Sequence, residues 1–243
     1  MRPAKIQIVN DSTLLKDDEI AAALPAVETQ VHRDFAAAWG IEADLEFVEG
    51  NRQPDPDTWW MTFIDYARRA GEEGNHFLTK SGLPFGRVFV GSTRKVAQAW
   101  TSALSHELLE LLADPDTNVV ASRGSTRKDS VWYAYEVCDP CSDDSYGYKI
   151  RGVLVSDFVY PSWFESFQME GVRFDHMGLI KRPFQVLPLG YAATYHTAPK
   201  KGAGLSSAPA VAPKAARVSC TAIQKRRRPR EKWGRRDISS PRE

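Results

Sequence analysis

The stretch "TSALSHELLELLADP", residues 101–115, carries an imidazole and three carboxylates within two and a half helical turns. Residues four apart on a helix lie one turn apart on the same face, so His106 and Glu110 are spaced to hold one cation between them. Glu107 lies about 60° around the wheel from Glu110. A general base would stand there, beside the water that such a cation polarises. Asp114, a turn further on, reads in two ways: it orients His106 through the second ring nitrogen, or it only stops the helix. The same wheel also allows a plain amphipathic helix. Leu104, Leu108, Leu109, Leu111 and Leu112 fill one arc, and the acidic arc would then simply meet water.

Two ligands on a helix need a third from elsewhere in the chain. "AYEVCDPC" offers Glu136 and Asp139, 26 and 29 residues after Glu110, and either suits. One nitrogen and two carboxylates form a hard donor set. Zinc is the expected metal, with Mn²⁺ or Ca²⁺ as acceptable occupants. Two anionic ligands also weaken the pull on water that makes such a metal catalytic.

"SHELLELLADP", then "YEVCDP", then "VSDFVYPSWF", together with the upstream "GLPFGRVFV", resemble a group of bacterial and phage proteins to which no reaction is assigned. The likeness covers roughly residues 60–165. More distantly, the pairing of "SHExxExxxDP" with "ExxD" is similar to the zincin-like peptidases. That resemblance implies an α/β (α+β) fold, a twisted mixed sheet backed by the motif helix. It also implies His106, Glu110 and one of Glu136 and Asp139 as ligands, with Glu107 as the base. The second histidine of the better-known zinc peptidases is replaced by Glu110.

The elements that must position these groups follow from pattern. "KIQIVND" alternates as a half-buried strand. "KDDEIAAALPAVETQVHRDFAAAWG" is an amphipathic helix that Pro25 is placed to kink and Gly40 to end. "ADLEFVEG" and "TWWMTFIDYA" read as strands, and "NHFLTKSGLPFGRVFVGS" as two short strands around Gly82 and Pro84. A second helix is expected from about Lys95 to Ala113, stopped by Asp114-Pro115. "VWYAY" alternates, with Tyr133 and Tyr135 on one face, and "YKIRGVLVSDFVYPSWF" suggests a strand or hairpin closing the domain.

Other chemistry-bearing residues have weaker settings. Cys138 and Cys141 form a Cys-x-x-Cys without a second pair, since only Cys220 remains, so two half-buried thiols are expected. Should one approach the metal, it would close the site. His76, just before the hairpin that precedes the motif helix, could line a cleft, but a lone histidine in a loop is more often exposed. His176, Tyr146 and Tyr148 compete as late-chain proton donors. Trp59-Trp60 and the "VWYAY" aromatics read as core.

Net charge is +1, but unevenly spread. Residues from Pro199 onward hold 13 Lys/Arg and 3 Asp/Glu, leaving the first 198 at −9. Residues 1–197 are thus expected to form one domain. Residues 198–243, Ala/Pro-rich and ending in "KRRRPREKWGRR", are expected to be disordered and suited to non-specific nucleic acid or other polyanions. No apolar run approaches the roughly 20 residues that span a bilayer, and no signal peptide is apparent, so a cytoplasmic location is expected. The leading expectation is a metal-dependent hydrolase acting on a peptide or protein. The alternative is a non-catalytic accessory or virion-associated protein that keeps the fold.

Overall fold

A computed structural model describes residues 3–49, 52–69, 71–124, 130–166, 169–196 and 206–207. The alternating first segment becomes strand β1 (Ala4–Asn10), with Ile6 and Ile8 wholly buried. Helix α1 (Asp17–Thr29) begins with three acidic residues in its first turn, where they complement the helix dipole. It runs on through a π-helical stretch, Gln30–Phe35, and a last turn, α2 (Ala36–Trp39). Gly40 ends it as expected, taking a φ of 66° while its N–H returns to Ala36 O.

Strands β2 (Ala43–Val48), β3 (Trp59–Ile64) and β5 (Pro84–Phe89) lie parallel to β1. Strand β4 (Gly74–Leu78) pairs with β5 in the opposite sense and forms one edge, giving the order β2-β1-β3-β5-β4. The chain is therefore mixed α/β with a mixed sheet. Its register decides what β4 offers. Gly74 faces Val88 and His76 faces Gly86, so both project from the face that carries the buried Val88.

The helix expected from about Lys95 to Ala113 starts later, at Trp100, and a separate short helix precedes it. Helix α3 (Val90–Lys95) closes when the N–H groups of Val96 and Gln98 return to Thr93, and Ala97 takes a left-handed φ of 59°. Helix α4 (Trp100–Ala113) then starts afresh, its lead-in Ala99 N–H held by the Asp144 carboxylate at 2.7 Å. Trp100 packs edge-on against Phe63, 5.4 Å between ring centroids. Leu108, Leu109 and Leu111 are fully buried, each contributing on the order of 1.5–3 kcal/mol.

Two hydroxyls fix α4 along its axis. Thr101 Oγ1 donates to Leu154 O, and Ser105 Oγ accepts the Ser156 N–H at 2.7 Å. Their partners lie on and beside the hairpin β8 (Tyr148–Ile150) and β9 (Val153–Val155), where a strand or hairpin is expected. A second sheet, β11-β10-β7-β6, joins β6 (Val120–Arg123), β7 (Val131–Ala134) and β10 (Ala193–His196) to Ser206–Ser207, which form β11. Apart from that pair, the expected disordered tail lies outside the described residues. Among the described residues, no helix is long and apolar enough to cross a membrane.

Beyond β9 the chain buries Asp157 and Asp175 completely. Asp157 accepts the N–H groups of Phe158 and Met177, and Asp175 those of Leu179 and Ile180. Burial, and then the charge of Asp175, push Asp157 up to about 8, so the two carboxyls share a proton at neutral pH. An acid raised in the folded state keeps a proton that the unfolded chain releases, so stability falls as pH rises from about 4 to 8. Asp157→Asn supplies that hydrogen permanently. Its stability relative to the parent should improve by about 1–3 kcal/mol between pH 5 and pH 8.5, read from urea midpoints.

Candidate metal centre

The acidic arc of α4 does not meet water. His106, Glu107, Glu110 and Asp114 are all buried, because β4 covers one flank of the helix and the 136–139 segment the other. Glu110, the most enclosed of the four, accounts for the junction. Its Oε1 accepts the N–H of Cys138 at 3.1 Å and of Asp139 at 3.3 Å. The segment enters a 3₁₀ turn there, Asp139–Cys141, which turns the side chain of Asp139 back toward the helix.

Glu110 Oε2 is thereby left facing inward. It lies 3.3 Å from His106 Nε2, and the same nitrogen is 3.3 Å from Asp139 Oδ1. Tyr191, from the segment before β10, hydrogen-bonds through its hydroxyl to the Asp139 carboxylate. The Tyr191 N–H donates to Asp139 O, and the Leu187 N–H to Pro140 O. The backbone at Gly190 passes so close to Pro140 O that a β-carbon would stand 2.4 Å from it. This late segment clamps the turn that presents Asp139.

His76 is the principal correction to the sequence reading. It sits on β4 with its side chain buried, not exposed on a loop. A loop assignment missed it, because the alternation that places it beside Val88's face emerges only with the β4–β5 register. Its Nδ1 is 3.1 Å from Glu107 Oε2 and 3.7 Å from Glu110 Oε2, and its Nε2 is 3.3 Å from Glu136 Oε2. Glu136 Oε2 is buried and accepts no hydrogen bond of good geometry. Glu136 and Asp139 therefore do not compete for one position: Asp139 faces His106, and Glu136 faces His76.

Gly74 is the other residue that the sequence did not reveal. A β-carbon there would fall 2.5 Å from Glu107 Cγ and Oε1, so β4 admits the glutamate only because residue 74 has none. Asp114 takes the helix-stopping role. Its two carboxylate oxygens accept the N–H groups of Asn118 and Val119. The three late-chain proton-donor candidates are engaged elsewhere. Tyr146 donates to Pro188 O, Tyr148 donates to Asp34, and His176 stacks on Phe158. Cys138 and Cys141 are fully buried free thiols, more enclosed than the sequence suggested. The Cys138 sulfur groups with ligand atoms of His106 and Glu110 within 4.8 Å.

Electrostatics register the crowding. Burial pushes Glu110 up to about 8, with the charge of Asp139 adding to it. Burial likewise raises Asp139 and Cys138. Burial works to lower both histidines, yet the facing carboxylates overcome it, Glu136 and Glu107 at His76 and Glu110 and Asp139 at His106. Both stand well above the ordinary imidazole range. A cleft opens over the group, lined also by Glu73, Asn75, Phe77, Arg87 and Gln98.

No protein-family model, curated protein or solved structure matches this chain.

The dual use of Glu110 separates its two roles. Glu110→Ala leaves two buried N–H groups unpaired and should cost about 2–4 kcal/mol of stability in metal-free buffer. Glu110→Gln keeps an acceptor for them and should cost less than half as much, measured by denaturant unfolding beside the parent.

Proposed function

We propose that the protein is a metal-dependent hydrolase of zincin-like architecture, acting on peptide bonds. The observation that carries this reading is the spacing around His106 Nε2, with Glu110 Oε2 and Asp139 Oδ1 each 3.3 Å away. Donor atoms about 2.0–2.1 Å from one tetrahedral zinc stand about 3.3–3.4 Å apart. Buried carboxylates without a cation among them are costly, and here both ion-paired partners are imidazoles. The residues fit the ion: one nitrogen and two oxygens, with Tyr191 orienting Asp139 from behind.

A divalent cation held by these three residues supplies Lewis acidity toward a carbonyl and makes a nearby water more acidic. Glu107 is the adjacent carboxylate without a backbone duty, so it receives the proton from the attacking water and returns it to the leaving amine. His76 Nδ1, 3.1 Å from Glu107 Oε2, sets the direction of that carboxylate. Gly74 keeps the space it occupies. The cleft above the group is where an extended chain would lie.

A non-catalytic accessory protein is favoured by one observation, the Cys138 sulfur beside His106 and Glu110. A thiolate in the fourth position would close the site. The Asp139 carboxyl, 3.3 Å from His106 Nε2, is the donor that would leave the fourth position open. In cobalt-loaded protein, absence of a thiolate charge-transfer band is expected. A strong band would support the closed site.

Elemental mass spectrometry of the purified full chain should find at least one zinc per chain, lost in His106→Ala and in Asp139→Asn. Glu107→Gln should retain the metal while peptide hydrolysis falls at least about 100-fold. A chain that neither carries nor takes up a divalent cation would overturn the reading. Gly74→Ala should also retain the metal, with a lowered melting temperature, because the atoms displaced run from Cγ outward in the buried Glu107 paired with His76. Its hydrolysis should drop by about tenfold or more, as a misplaced base predicts.

A further inference from the structure

Two groups of ligand atoms meet at this centre, and they share one residue. His106, Glu110 and Cys138 form the first, with Asp139 Oδ1 3.3 Å from the same His106 nitrogen that faces Glu110. His76, Glu110 and Glu136 form the second, each offering one donor atom within 4.8 Å of the others. The second group comes from three separate places in the chain: edge strand β4, helix α4 and the segment after β7.

A cation at the first group leaves the second with a problem of charge. Four carboxylates, Glu107, Glu110, Glu136 and Asp139, converge here, and their ion-paired partners among the described residues are His76 and His106. With both imidazoles acting as neutral ligands, two divalent cations balance the four carboxylates. Glu136 Oε2 is buried without a hydrogen bond of good geometry and is directed at His76 Nε2, 3.3 Å away. That separation matches two donors of one small cation, as at His106.

The two ring nitrogens of His76 are also placed as a metal-ligating histidine requires. Such a ring commonly donates its second N–H to a carboxylate, which fixes the tautomer and the ring orientation. In the tautomer that donates Nδ1–H to Glu107 Oε2, 3.1 Å away, Nε2 is left as the ligand beside Glu136, with Glu110 Oε2 3.7 Å from Nδ1 of the same ring. Glu110, with one oxygen tied to the backbone of Cys138 and Asp139, cannot swing toward one group at the expense of the other.

We infer that the centre binds two divalent cations, the second held by His76, Glu110 and Glu136, with the Glu110 carboxylate common to both. This rests on the reading of the His106 group as a cation site and extends it. Two cations sharing a carboxylate would stabilise both the attacking and the leaving atom, so the substrate class remains peptide bonds in a chain that fits the cleft. It also ties Glu107 to the second cation through the His76 ring.

The test is metal stoichiometry and magnetic coupling in the full-length chain, separate from any activity. Protein saturated with Zn²⁺ and freed of excess should carry two ions by native mass spectrometry. His76→Ala and Glu136→Gln should each carry one, and His106→Ala should lose the first ion. Either of the two second-site variants suffices should the other fail to fold. Loaded with Mn²⁺, the parent should show a spin-coupled resonance spectrum at the second equivalent, which both variants lack. One ion per chain in the parent, unchanged by His76→Ala and Glu136→Gln, would overturn the second site and leave the first standing. No ion in any of them would overturn both.

Discussion

The position of Glu110 is the constraint on which the centre depends. A carboxylate this enclosed must have each oxygen occupied, and the fold gives one oxygen to the N–H groups of Cys138 and Asp139. That bond docks the 136–141 segment against α4. It brings Asp139 to His106 from one side and leaves Glu136 to meet β4 from the other. The 187–191 segment then closes over the turn through backbone bonds to Asp139 and Pro140. Elements separated by as many as eighty residues are set by one side chain's need for partners.

The rest of the architecture holds α4 still while this happens. Its leucine face supplies cohesion, and Thr101 and Ser105 lock its axial position against the β9 hairpin. Edge strand β4 runs antiparallel beside β5, which brings Gly74 and His76 to the helix on one face. Gly74 is a place where absence of a side chain is functional, since Glu107 occupies the volume that a β-carbon would take. The centre is thus built on a helix and an edge strand, with Glu136 and Asp139 supplied by a turn segment that Glu110 pins to the helix.

Polarity inside this molecule is concentrated in two places with different solutions. The Asp157–Asp175 pair is pushed toward sharing a proton, and backbone N–H groups meet Asp157 Oδ1 and both oxygens of Asp175. The α4 centre instead sets carboxylates against imidazoles, with Glu136 Oε2 left over. The first arrangement is self-contained and serves stability. The second gathers its carboxyls around two imidazoles at ligand spacing, and that spacing is what points to cations.

The sequence by itself determined the helix that carries His106, Glu107 and Glu110. Helical spacing is local, and four residues always make one turn. It also marked Glu136 and Asp139 as the downstream carboxylates, the alternating strands around them, and Gly40 as a helix stop. It did not determine that the acidic arc is buried, since periodicity reports that a polar face exists and not what covers it. His76, Gly74 and Tyr191 became visible only in the tertiary structure, because strand register and a clamp closing from residues 187–191 bring them in. The division of labour between Glu136 and Asp139 was decided there too. Two carboxylates three residues apart leave a tight turn in different directions, and only the backbone bonds that Glu110 makes to that turn fix which one faces His106 and which faces His76.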